Sequence, residues 1–210
     1  MCHHSTYCFP PPDQADEQGL LAAGGDLSPE CLLTAYYSGI FPWFDDSQPL
    51  LWWSPDPRMV LFPERLHVSK SMKQLLRQQA FQVTFNQAFN KVIEACAKIE
   101  RRGQDGTWIT ADMIAAYKDL HRRGFAQSVE VWRDGVLVGG LYGIQLKGKQ
   151  VFCGESMFST VSNASKYGFI ILVKKLRQSA IKLIDCQVYS SHLASLGAEE
   201  ISREEFLRFL

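Results

Sequence analysis

The chain has 210 residues, 46% hydrophobic and 21% charged, and its 22 Lys and Arg balance 22 Asp and Glu to a formal charge of +0. This is the composition of a packed globular protein: no apolar run approaches the roughly 18 residues that span a bilayer, and the start MCHHSTYCFPPPD lacks the basic end and apolar centre of a signal peptide, so a cytoplasmic protein is expected. Six cysteines with no CxxC pair speak against a disulfide scaffold or a structural zinc site and for reduced thiols.

The charge balance is uneven along the chain. Residues 1–64 hold nine acids and one base, Arg58, a net of −8, and the remainder carries +8. Such a split lets the basic part meet a polyanion and the acidic part a cation, or it reflects two solvated faces.

Phe9-Pro10-Pro11-Pro12 is stiff and extended. After the Gly24-Gly25-Asp26 turn, Ser28-Pro29 supplies an N-cap and a first-turn proline for a helix over 29–38, closed by Gly39. Ile40 to Pro57 then places three tryptophans among four prolines, in FPWF and LLWWSPDP. Trp52 and Trp53 either pack into the core or stack a nucleobase or sugar from a rigid loop. Composition changes after Pro63, which predicts a small N-terminal domain, 1–63, and a larger one, 64–210.

A short strand, Met59 to Phe62, precedes that boundary. Ser69 to Gln78 reads as a capped helix with Lys70, Lys73 and Arg77 on one basic face, a plausible contact for a phosphate backbone or an ordinary solvated surface. Phe81 to Phe85 alternates as a strand, Asn86 caps a helix to about Ile99, and Glu100 to Gly106 is a polar loop. Thr110 caps ADMIAAYKDLHRR, which Gly124 ends. From Ala126 the period becomes two, with Gly-containing turns at Asp134-Gly135 and Lys147-Gly148, and an antiparallel meander results. The helix of Ser162 to Gln178 turns Phe169, Leu172, Val173 and Leu176 to one side. In the strand KLIDCQVY, Leu183, Asp185 and Gln187 share one face and Ile184, Cys186 and Val188 the other. A short helix from Ser190 to Leu196 and a capped one from Ser202 close the chain. The expected class is α/β, of the α+β kind, with a mixed, largely antiparallel sheet.

Generic sites mostly fail. Ser156 in GESMF lacks the second glycine of a nucleophile elbow. Cys153 or Cys186 with His192 and Asp185 suggests a thiol triad, but Cys186 faces away from Asp185. His3, His4, His67, His121 and His192 are dispersed, so no metal site is indicated. There is no P-loop and no GxGxxG. What remains is a pair of carboxylates, Glu155 and Asp185, on neighbouring strands with Gln187 beside them and Phe152, Met157, Leu141 and Leu176 around them. This suits an apolar group and one proton transfer; caps or ion pairs are the structural alternative.

The phrases EQGLLAAGGDLSPECLL, AYYSGIFPWF, LLWWSPDPRMVLFPERLHVSKSM, GTWIT, VGGLYG, FCGESMFS, NASK, LIDCQV and HLASLGAEEISREEFL resemble, in order from Phe9 to Leu210, the bacterial leucyl/phenylalanyl-tRNA-protein transferases. The resemblance implies transfer of Leu or Phe, with Met a further candidate, from charged tRNA to the N-terminal Arg or Lys of an acceptor protein, creating an N-degron. It also implies a small N-terminal domain, a C-terminal domain like the GCN5-related acetyltransferases, no cofactor and a monomer. By the same resemblance Trp43 and Trp108 stack the terminal adenine and Glu155 contacts that nucleoside, with Tyr36 and Tyr117 nearby. Leu141, Phe152, Met157, Leu172 and Leu176 form the side-chain pocket, and Asp185 and Gln187 are the pair assigned to catalysis. On this reading Asp185 accepts a proton from the attacking amine or orients it, and Lys70, Lys73 and Arg77 hold the acceptor stem. An acyl-CoA-dependent acetyltransferase is the alternative enzyme, although its pyrophosphate loop has no match beyond QLKGKQ; a non-enzymatic RNA-binding module is the other alternative.

Overall fold

A computed structural model describes residues 8–99 and 107–210. Cys2, His3, His4 and the polar loop of residues 100–106 lie outside them.

The N-terminal part is a three-stranded antiparallel sheet in the order β1-β3-β2, from β1 (Leu20–Ala23), β2 (Phe41–Pro42) and β3 (Leu51–Trp53). Helix α1 (Pro29–Tyr37) lies between β1 and β2, and Ser28 accepts the Cys31 N–H at 3.2 Å as the expected N-cap. Trp52 is a core residue: it is 1% exposed, meets Phe9 edge-on and donates its indole N–H to the Gly24 carbonyl at 2.8 Å. Trp53 is half-buried and donates at 2.6 Å to the carbonyl of Trp43, against whose ring it tilts. One indole therefore props another.

The second sheet has seven strands. They are β4 (Arg58–Leu61), β5 (Gln82–Phe85), β6 (Ala126–Arg133), β7 (Val136–Gln145), β8 (Val151–Ser159), β9 (Leu183–Gln187) and β10 (Glu199–Ile201), in the order β10-β4-β9-β8-β7-β6-β5. It is mixed and mostly antiparallel, as expected; β8 and β9 run parallel because α5 (Ala164–Arg177) crosses between them. Strand β4 belongs to this sheet and pairs with β9 and β10.

Apolar residues fill both faces. On one side α3 (Phe89–Lys98) and α4 (Ala111–Arg122) bury Phe89, Val92, Ile93, Met113, Tyr117 and Leu120. On the other, α5 and α2 (Lys70–Arg77) bury Phe169, Ile170, Leu172, Val173, Leu176 and Met72. Each such apolar side chain contributes roughly 1.5–3 kcal/mol on burial. Gly168 lets α5 lie close on the sheet, since a Cβ there would stand 2.7 Å from Val131 Cγ2.

One predicted cap is different. Asn86 sits at φ 59° and accepts the Ser128 N–H at 2.8 Å, so α3 begins only at Phe89. The two residues before α3 donate instead to the buried Glu130, which accepts from Gln87 N at 3.4 Å and Ala88 N at 3.3 Å. A carboxylate from a distant strand thus holds the two residues that lead into α3, which local sequence does not show. The chain closes with α6 (Ser191–Ala194) and α7 (Arg203–Leu207), where Ser202 accepts the Glu205 N–H at 3.1 Å.

Candidate active site

A cleft opens where the two parallel strands part. β8 and β9 are in register at Val151–Leu183, Phe152–Ile184 and Cys153–Asp185, and no further. On β8 the register with β7 passes from Tyr142–Ser156 to Gly143–Gly154, so Glu155 is an extra, bulged residue. On β9 the register with β4 passes from Met59–Gln187 to Val60–Asp185, so Cys186 is extra there, and Gln187 follows at φ 67°. Bulges and left-handed residues re-aim side chains. Glu155 and Gln187 are thereby turned toward each other across the gap: the Gln187 side-chain amide donates to Glu155 Oε1 at 3.0 Å.

This corrects the face assigned to β9 from its period of two. Gln187 lines the cleft with Ile184 and Cys186, and Asp185 does not. Asp185 is 1% exposed and turned to Arg58, whose Nε and Nη2 donate to its two carboxylate oxygens, each at 2.8 Å. Asp185 Oδ1 also accepts the Gln187 backbone N–H at 2.9 Å. Leaving either charge without the other costs about 3–5 kcal/mol, so the pair is obligatory in a buried site.

The cavity measures about 540 Å³. Trp43, from the loop after β2, and Trp108, before α4, contribute indole walls; Leu141, Phe152, Met157, Phe169 and Ile184 make an apolar surface. Glu155 is the one carboxylate in the lining among the described residues. Its Oε2 accepts the Tyr117 hydroxyl at 3.0 Å, and Tyr117 in turn pairs with the hydroxyl of Tyr36 behind it. Burial pushes the Glu155 carboxyl up to about 7, against the pull of donors from Tyr36, Tyr117 and Gln187. Burial first, and then the nearby Glu155 charge, holds both tyrosines well above their ordinary range, so they act as hydroxyl donors. The thiols of Cys153 and Cys186 are pushed up by burial, which leaves no thiolate for the triad considered above. His192 of α6 borders the cleft, its imidazole pushed down by burial and then by Lys166. Among the described residues no three His, Cys, Asp or Glu stand together as a metal site.

Of the predicted residues, then, Trp43, Trp108, Glu155, Gln187, Leu141, Phe152 and Met157 meet in one cleft. Tyr36 and Tyr117 stand behind Glu155. Leu172 and Leu176, 2% and 5% exposed, pack in the core outside the lining, and Phe169 and Ile184 take the wall. Phe169 was visible as part of the apolar stripe of α5; Arg58 was visible only as the lone base in an acidic segment, a signal without a direction. Away from the cleft, Lys70, Lys73 and Arg77 line an open groove of about 800 Å³, joined by Lys174 of α5.

The model of the family described as leucyl/phenylalanyl-tRNA protein transferase matches residues 60–210, and that of its N-terminal domain matches residues 25–56. A leucyl/phenylalanyl-tRNA–protein transferase of Christiangramia forsetii is 65% identical over 202 residues, which are 96% of this chain and 95% of that protein. One from Pseudomonas fluorescens is 59% identical over 204 residues, 96% of this chain and 89% of the relative. Among solved structures, a GCN5-related N-acetyltransferase from Kribbella flavida aligns at 11% identity and a TM-score of 0.39, over 83% of this chain and 61% of that one, too low a likeness to assign the fold. With these relatives, the protein is an aminoacyltransferase. It belongs to the leucyl/phenylalanyl-tRNA–protein transferase family.

Proposed function

We propose that the protein transfers Leu or Phe from charged tRNA to the N-terminal Arg or Lys of an acceptor protein, and that the extended N-terminus serves as an N-degron in the cytoplasm. The observation that carries this reading is one cleft holding two indoles, an apolar wall and the Glu155–Gln187 pair. Trp43 and Trp108 stack the terminal adenine, and each stack is worth about 1–3 kcal/mol. Leu141, Phe152, Met157, Phe169 and Ile184 receive the aminoacyl side chain.

The ester of a charged tRNA is already activated. The acceptor amine attacks its carbonyl carbon, a C–N bond forms, the bond from that carbon to the ribose oxygen breaks, and a proton passes from the amine to the leaving oxygen. Neither ATP nor a covalent enzyme intermediate is required. The cleft must align the amine and keep it neutral. Glu155, expected at the terminal nucleoside and poised near 7, is where the ester and the amine meet; it takes the proton from the amine and hands it to the leaving ribose oxygen. Gln187 orients the amine. Asp185, with both oxygens engaged by Arg58 and turned from the cleft, takes no proton; it acts on the amine only by holding Gln187.

The test is direct. Purified protein is mixed with Leu-, Phe- or Met-charged tRNA and peptides beginning with Arg, Lys or Ala. Labelled product on the Arg and Lys peptides with Leu or Phe is expected, and its absence, or equal transfer to the Ala peptide, rejects the reading.

A further inference from the structure

We propose that Arg58 is a positioning residue for aminoacyl transfer: it clamps Asp185 so that the turn Asp185-Cys186-Gln187 presents the Gln187 amide to Glu155. This rests on the cleft being the site of that transfer.

Arg58 is 1% exposed, and every feature of its surroundings restrains it. Two donors grip the Asp185 carboxylate in a fork, and Nη1 donates to the Gly39 carbonyl at 3.2 Å. Phe41 and Phe206 cover the guanidinium, with ring centroids 4.7 and 4.6 Å from its carbon. A planar cation bonded along its edge and stacked on its faces is a rigid reference point that a lysine does not reproduce.

The rigidity passes on through one oxygen. Asp185 Oδ1, fixed by Arg58 Nε, is also the acceptor for the Gln187 backbone N–H at 2.9 Å. Gln187 stands at φ 67°, a conformation unfavourable for a residue with a Cβ, and this hydrogen bond offsets part of that cost. In an extended conformation, strand alternation returns the Gln187 side chain to the side of Asp185, away from the cleft. The clamp therefore decides which wall Gln187 joins. An apolar pair of similar volume fills a core at least as well as a buried ion pair, so packing alone gives no reason for the charges.

Three proteins test the proposal: wild type, Arg58→Lys, and the double variant Arg58→Met with Asp185→Leu. Each is followed by thermal melting, binding of charged tRNA, and single-turnover transfer to an Arg peptide. Arg58→Lys keeps the charge and removes the fork. Unchanged tRNA binding is expected, with transfer slowed roughly 10- to 100-fold. The acid limb of its pH profile should move upward, because Glu155 is deprived of a donor that favours its ionised form. The other groups that face Glu155 are Tyr36 on α1, Tyr117 on α4, Asp185 on β9 and Cys153 on its own strand. A merely structural role leaves that limb in place. The double variant removes both charges and should fold, yet transfer slowly, since Gln187 is then without its anchor. Wild-type transfer rates in either variant overturn the proposal, as does failure of both to fold, which assigns the pair to the fold alone. An inactive wild type rejects the underlying transferase reading instead.

Discussion

Gln187 donates its side-chain amide to Glu155 at 3.0 Å across the gap where β8 and β9 separate, and neither side chain would reach the other on a regular strand. A bulge re-aims Glu155 and a left-handed backbone re-aims Gln187. The chemistry proposed for the cleft depends on that hydrogen bond.

The carboxyl of Glu155 is pushed up to about 7, and it must be ionised to take a proton. Transfer should therefore fall as pH drops through about 7, and Glu155→Gln should remove most of the rate and leave only the pH dependence of the acceptor amine. Stability moves the other way. Because the folded protein holds this proton more tightly than the unfolded chain, Glu155 weakens folding as pH rises from about 4.5 to 7. Glu155→Gln should accordingly raise the melting temperature at pH 8, by the equivalent of about 1–3 kcal/mol, and leave it nearly unchanged at pH 4. Melts at the two pH values check this; equal shifts at both reject it.

Trp43 and Trp108 are walls of the cleft, so their removal should act on binding. Trp43→Ala and Trp108→Ala should each weaken the charged tRNA by about 1–3 kcal/mol while the rate at saturation changes little. Trp53→Phe removes the indole donor to the Trp43 carbonyl and should show a weaker form of the same defect. Filter binding beside single-turnover rates separates the two quantities.

Leu176 and Met157 make a contrasting pair. Leu176 lies in the core, and Leu176→Ala should cost about 2–5 kcal/mol of stability without changing amino-acid preference. Met157 is half-buried at the cleft wall, and Met157→Ala should shift the ratio of Phe to Leu transfer upward by making room. Competition between the two charged tRNAs reads the ratio.

The groove of Lys70, Lys73, Arg77 and Lys174 offers four cations to a phosphate backbone. Replacing all four with Ala should weaken tRNA binding and flatten its salt dependence, by up to about 0.9 in the logarithmic slope for each phosphate no longer neutralised. Transfer from a short aminoacylated fragment, which does not reach the groove, should persist. A salt slope like that of wild type places the tRNA elsewhere.

Much was legible in one dimension. The helix of 29–37 follows from Ser28-Pro29 and Gly39, α4 from Thr110 and Gly124, and the meander from two Gly turns, because caps and turns are short-range chemistry that neighbouring residues dictate. Strand reading brought Glu155 and Gln187 forward as residues of one site, and the family resemblance added Trp43 and Trp108. Period-two alternation, however, described β9 wrongly at Gln187, since a bulge and a positive φ are set by pairing with β4 and by the carboxylate of Asp185. Asn86 does not act as the expected cap for a similar reason: its side chain is taken by Ser128, and Glu130, far along the chain, holds the residues that lead into α3.

Local propensity and composition by themselves determined the elements, their order and the kinds of side chain available for chemistry. The direction in which those side chains point was decided only in the folded chain. Arg58 and Asp185 are 127 residues apart, and a buried guanidinium takes its partner from whatever strand closes over it, so only the tertiary structure could turn Asp185 away from the cleft and leave Glu155 and Gln187 facing it.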